Sequence, residues 1–161
     1  MFKSSQVQSL GKGLLIGVGA VGSFYAGKLN QAGVDIDFLC RSDVDHIKTL
    51  GVRVKSPLGD FSFKPSIVLD QKDFISESLE NSGELKKNTI QYDFIILATK
   101  VLKPNQTEQL LSPFLSKNTI VYLFQNGIFI EEPLQRLFPE TKFVSVLAFV
   151  CLNRIAPGVI H

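Results

Sequence analysis

The sequence predicts an α/β fold in which a mainly parallel sheet is doubly wound, with helices on both faces. Three observations predict it. Short continuous apolar runs recur along the chain, stretches of helical spacing lie between them, and a glycine-rich string joins the first run to the first such stretch. Strands covered on both faces have no polar side to show, so they read as unbroken apolar runs. Parallel neighbours also need a crossover between them, usually a helix.

The elements follow in that order. Residues 13–18 (GLLIGV) form the first buried strand. Residues 20–32 form a helix, with Val21, Phe24, Tyr25, Lys28 and Leu29 at helical spacing and Gly33 as its stop. Residues 34–40 (VDIDFLC) give a second strand, completing a strand–helix–strand unit of about 30 residues. Residues 42–50 suit a short helix capped by Ser42, whose hydroxyl can accept from an unpaired helix N–H. Alternation on both sides of Pro57-Leu58-Gly59-Asp60 predicts a β-hairpin over residues 51–63.

Residues 69–91 carry Glu77, Glu80, Glu84, Lys86 and Lys87 and read as a solvated helix or loop without chemistry. Residues 92–99 (YDFIILAT) are again a buried strand. Pro104 opens a helix through Leu115, since a proline N–H is not needed in the first turn. A strand over 119–124, a short helix over 131–138 and a strand over 142–152 follow, and a further strand begins near the last residues.

Bulk properties narrow the function. At 161 residues the chain fits one domain, residues 1–161, and 45% hydrophobic content is enough for a core. A net charge of +2 argues against binding nucleic acid or a membrane surface through charge. The polar N-terminus has no signal-peptide apolar stretch, and nothing approaches the roughly 20 apolar residues of a membrane span, so a soluble, cytoplasmic protein is expected. Cys40 and Cys151 sit in apolar runs and read as small buried side chains of a reduced compartment. With His46 and His161 they show no metal-ligand spacing, so no metal site is expected.

The strongest motif is Gly17-Val18-Gly19-Ala20-Val21-Gly22. A GxGxxG string alone is weak, but here it follows a strand, opens a helix and leads to a second strand. In that context it is the fingerprint of a Rossmann-type dinucleotide site. Gly17 makes the tight turn, Gly19 lets the backbone approach a pyrophosphate, and Gly22 lets helix and strand pack closely. The helix N-terminus supplies unpaired N–H groups and a positive dipole end.

The second strand ends in Cys40-Arg41-Ser42, where NAD-selective sites usually place Asp or Glu, about 20 residues on. A guanidinium beside a hydroxyl suits a 2′-phosphate, so NADP(H) is favoured over NAD(H). Asp37 and Asp43 are awkward neighbours, one within the strand and one beyond it. Lys100 and Asn126 follow two later strands, at the carboxyl ends where such folds bind ligands. Each also has a bland reading, as a strand-terminal lysine and as the Asn of a common Asn-Gly turn.

With these residues assembled, the chain resembles the ketopantoate reductases (2-dehydropantoate 2-reductases). The resemblance runs through GVGAVGSFYAGKLNQAG, FLCRSD, the GVRVKSPLGDF hairpin, YDFIILATK, the QNG turn and PGVIH. It implies NADPH-dependent reduction of a 2-keto acid to a 2-hydroxy acid on the way to pantothenate and coenzyme A. It also implies that residues 17–22 and Arg41 hold NADPH, with Lys100 near the nicotinamide and Asn126 between cofactor and substrate.

In the family a helical C-terminal domain supplies the catalytic lysine, further substrate-binding groups and an acid. None of it is present here, so no catalytic residue is assigned, and the chain is expected to be a truncated half with little activity alone. An apolar face cut from its partner domain makes self-association, such as a homodimer, an expected outcome. The segment 69–91 matches the family poorly and is expected to lie away from the cofactor. Two other readings stay open: the nucleotide half of another 2-keto acid or opine-type dehydrogenase, and a non-catalytic NADP(H)-sensing module.

Overall fold

In a computed structural model of the chain, residues 11–57, 59–75 and 89–161 are described. The polar N-terminal stretch through residue 10, Leu58 of the hairpin turn, and Glu77, Glu80, Glu84, Lys86 and Lys87 lie outside the described residues.

The main sheet has six strands, all paired in parallel. They are β1 (Lys12–Ile16), β2 (Asp35–Cys40), β5 (Val68–Asp70), β6 (Phe94–Leu97), β7 (Ile120–Leu123) and β8 (Lys142–Ser145), in the order β5-β2-β1-β6-β7-β8. Counted along the chain this is 3-2-1-4-5-6, the doubly wound order with its reversal between β1 and β6. The fold class read from the sequence is the one observed.

Side chains alternate across the sheet into two cores, as the two-residue period of a strand requires. Leu15, Phe38 and Ile96 face one way; Leu14, Ile16, Leu39, Ile95 and Leu97 face the other. The first core is closed by α1 (Ala20–Gln31) through Phe24 and Ala26. The second is closed by α4 (Pro104–Leu111), the 3-10 turn Ser112–Phe114 and α5 (Glu131–Leu137), through Leu110, Leu111, Phe114 and Leu134. Each of these large apolar side chains contributes about 1.5–3 kcal/mol on burial.

Helices do not cover the first face alone. The predicted hairpin forms, as β3 (Val52–Val54) antiparallel to β4 (Phe61–Phe63), and belongs to a second, four-stranded sheet. β9 (Arg154–Ala156) and β10 (Val159–Ile160) complete it in the order β4-β3-β10-β9. This sheet packs against α1, where a Cβ on Gly27 would lie 2.4 Å from the Phe61 ring. Lys28 of the same helix stands 4.5 Å over that ring.

Four sequence expectations need correction. Ser42 does not cap α2 (Val44–Leu50): Asp43 holds the N-cap position in the left-handed region, φ 62°, without a side-chain cap bond. Residues 69–91 are not only helix or loop, because β5 is an edge strand of the main sheet, followed by α3 (Gln71–Ile75). The strand over 142–152 stops at Ser145, beyond which the chain leaves the sheet. Cys151 is consequently exposed, whereas Cys40 is buried. Among the described residues no helix is long and apolar enough to cross a membrane.

Candidate nucleotide site

A cleft of about 720 Å³ opens at the carboxyl ends of β1, β2 and β6. That is the reversal point of the strand order, where the two halves of the sheet wind away from each other and leave a crevice. Gly17, Val18 and Gly19 line it from the β1–α1 turn, Arg41 and Ser42 from the end of β2, and Thr99 and Lys100 from the end of β6.

The three fingerprint glycines meet three different surroundings. Gly17 has φ +97°, and a Cβ there would lie 2.6 Å from the backbone of Ala98 and Thr99. Only glycine combines that conformation with so close a chain crossing. A Cβ on Gly22 would lie 2.6 Å from the Gly17 carbonyl oxygen and 2.9 Å from both Leu15 and Ala98, which seats α1 tightly on the sheet. Gly19 is the opposite case. A Cβ there meets nothing within 4 Å, and Gly19 lines the cleft.

Gly19 is also the N-cap of α1, which has no side-chain cap bond and no acidic residue in its first turn, formed by Ala20, Val21 and Gly22. The helix therefore offers backbone N–H groups and a positive dipole end, and among the described residues that line the cleft there is no carboxylate. This donor set and the open space at Gly19 fit a pyrophosphate. Arg41 and Lys100, both exposed, add two cations to the cleft wall.

Asp37 within β2 and Asp43 beyond its end are both engaged. Asp37 is fully buried; its carboxylate accepts from the Tyr92 hydroxyl at 3.0 Å and the Ile67 N–H at 3.1 Å, and pairs with Lys12 at 3.0 Å. Asp43 is ion-paired with Arg154. Burial, with Asp43 and Asp70 nearby, pushes the Cys40 thiol up to about 12, so it stays protonated and is no nucleophile.

Asn126 stands apart from the other candidates. It is exposed beyond the end of β7 and is not among the residues lining the cleft. Its neighbour Gln125 is buried and its amide donates to the Thr99 hydroxyl at 2.9 Å and the Lys100 carbonyl at 3.1 Å. Sequence reading passed over Gln125, although Val121, Leu123 and Gln125 share one parity and all are buried. It also missed Arg154, which reaches the cleft from the second sheet, and Gln71. Gln71 brings part of the 69–91 segment to the cleft, against the expectation that it lies elsewhere.

Comparison with known proteins gives a consistent set of likenesses. The family model described as Ketopantoate reductase PanE/ApbA matches residues 14–161. A 2-dehydropantoate 2-reductase from Nostoc sp. is 29% identical over 147 residues, spanning 91% of this chain and 42% of the relative. The crystal structure of 2-dehydropantoate 2-reductase from Methylococcus capsulatus superposes with a TM-score of 0.77 at 33% identity, over 92% of this chain and 44% of that one. The enzyme of the same name from Geobacter metallireducens gives 0.77 at 27% identity, over 93% and 45%. The chain thus spans less than half the length of these relatives.

Proposed function

Since the chain belongs to the ketopantoate reductase family, we propose that it forms the NADPH-binding half of a 2-dehydropantoate 2-reductase. The whole protein would reduce 2-dehydropantoate to pantoate, a step toward pantothenate and coenzyme A. The observation that carries this reading is the open space at Gly19, beside an uncapped helix N-terminus and the exposed Arg41.

In this reading the α1 N–H groups of Ala20, Val21 and Gly22, with the Gly17-Val18-Gly19 backbone, hold the pyrophosphate. Arg41 pairs with the 2′-phosphate through charge and several donors at once. Lys100 serves the nicotinamide end, and Asn126 lies toward the substrate. When bound, the reduced nicotinamide supplies the hydride for the keto carbon. This chain's residues bind and orient; the proton for the developing alkoxide and the clamp on the keto acid belong to the other half of the proposed enzyme. The isolated chain therefore binds NADPH but turns over little ketopantoate. Its free thiols, Cys40 and Cys151, fit the reducing cytoplasm.

The test is titration of the chain with NADPH and NADH, alongside Arg41→Ala. Selective NADPH binding that the variant loses supports the reading. Equal affinity for both nucleotides, or a preference that survives the substitution, overturns it.

A further inference from the structure

An acid at the end of the second strand is what a site for an unphosphorylated ribose uses, and Asp43 stands close by, two residues after Arg41. Left facing the cleft, its carboxylate would offset the Arg41 charge and repel a 2′-phosphate. The structure supplies a counter to it from far along the chain. Arg154, the first residue of β9, lines the cleft together with Arg41 and Ser42, and its guanidinium is ion-paired with Asp43. Asp43 itself does not line the cleft. The wall at this place therefore presents the cation and not the acid.

The pair is partly shielded, with side-chain exposures of 37% for Arg154 and 20% for Asp43. Screening by water is reduced there relative to an open surface pair. Asp43 also keeps an uncommon left-handed backbone for a non-glycine residue, φ 62°. The contact joins the second sheet to the end of β2, which gives that sheet a bearing on the cleft as well as on α1.

We propose that Arg154 is a specificity-determining residue: by holding Asp43 it makes the cleft accept a nucleotide bearing a 2′-phosphate. The inference rests on the nucleotide reading above. Its partner chemistry is the adenosine 2′-phosphomonoester, a dianion that a masked carboxylate tolerates and a free one does not.

The experiment measures NADPH and NADH affinities by nucleotide fluorescence for the wild-type chain, Arg154→Met, Asp43→Asn and the double variant. Arg154→Met is expected to weaken NADPH about tenfold and leave NADH unchanged. The double variant, with no carboxylate left to mask, is expected to recover most of that loss. Asp43→Asn alone is expected to keep the NADPH preference or raise it, and serves as the check where Arg154→Met melts early.

Equal loss for both nucleotides in Arg154→Met, no recovery in the double variant, or a lowered preference in Asp43→Asn overturns the proposal. A wild-type chain that binds both nucleotides equally overturns the underlying reading as well. A wild-type preference untouched by Arg154→Met overturns only the role of Arg154.

Discussion

The side-chain amide of Gln125 donates to the Thr99 hydroxyl at 2.9 Å and to the Lys100 carbonyl at 3.1 Å, tying the end of β7 to the end of β6. One buried side chain thus fixes the loop that carries Thr99 and Lys100 along the cleft. Gln125→Ala removes two bonds and leaves their partners to find water, so a stability loss of about 1–2 kcal/mol is expected. Gln125→Glu points an acceptor at the Lys100 carbonyl and costs more. NADPH affinity should fall several-fold in both, because Lys100 loses its backbone anchor. Urea midpoints and nucleotide titration read the two effects; a stability loss with unchanged affinity would show that the loop needs no such anchor.

The fingerprint glycines should separate into fold and ligand effects. Gly17→Ala and Gly22→Ala each drive a Cβ to 2.6 Å from backbone atoms, and Gly17 adds a positive φ. Both should destabilise the chain, by about 2–4 kcal/mol. Gly19→Ala meets open space in an extended conformation that any residue adopts. It should melt within a few degrees of wild type and yet lose nucleotide binding, since its methyl group occupies the space left for the pyrophosphate. Retained NADPH affinity in a folded Gly19→Ala chain would remove the pyrophosphate from that position.

The sheet was legible where burial on both faces left an apolar run, as over Phe94–Leu97 and Ile120–Leu123. It was not legible at β5. Val68, Leu69 and Asp70 are only half-buried at the sheet edge, so neither a full run nor a clean alternation marks them. The opposite error arose at residues 146–152. Their apolar run resembles a buried strand, but Leu147 and Phe149 are 82% and 92% exposed. Within the site, the glycine string and Arg41 were readable because their spacing is local. Arg154 was not, because it reaches Asp43 across 111 residues of sequence through the pairing of the second sheet.

Stability should fall at both extremes of pH through one cluster. Asp35 is held below the usual carboxylate range by hydrogen bonds from Lys12 and then Ser66. A lowered carboxylate pKa contributes stability above its unfolded value of about 3.9, and that contribution is lost as pH falls through the folded value. Lys12 is pushed down by burial, but hydrogen bonds to Asp35 and Asp37 outweigh this and raise it. Its contribution is complete below the unfolded value of about 10.4 and is lost as pH rises through the folded one. Lys12→Met should flatten both limbs. It should also cost on the order of 2 kcal/mol near neutrality, because the fully buried Asp37 loses its cation. Urea midpoints across the pH range check this; unchanged limbs in the variant would place the pH dependence elsewhere.

The carboxyl ends of β7 and β8 carry an apolar edge. Just past the end of β8, Val146 donates to the Leu123 carbonyl at 2.9 Å, after which both segments leave the sheet. Ile128 and Phe129 then stand 84% and 67% exposed beyond β7, and Leu147 and Phe149 are likewise exposed beyond β8. Large apolar side chains gathered at adjacent strand ends usually mark a surface that another part of a protein covers. In the proposed reductase, the remaining half of the protein would cover it. Without that half, the chain should self-associate as its concentration rises, and Leu147→Asp with Phe149→Asp should return it to the monomer. Neither change touches the residues lining the cleft, so NADPH affinity should stay the same. Sedimentation at two concentrations decides: a wild-type chain that stays monomeric throughout would mean this edge is not sticky enough to act as an interface, whatever its composition.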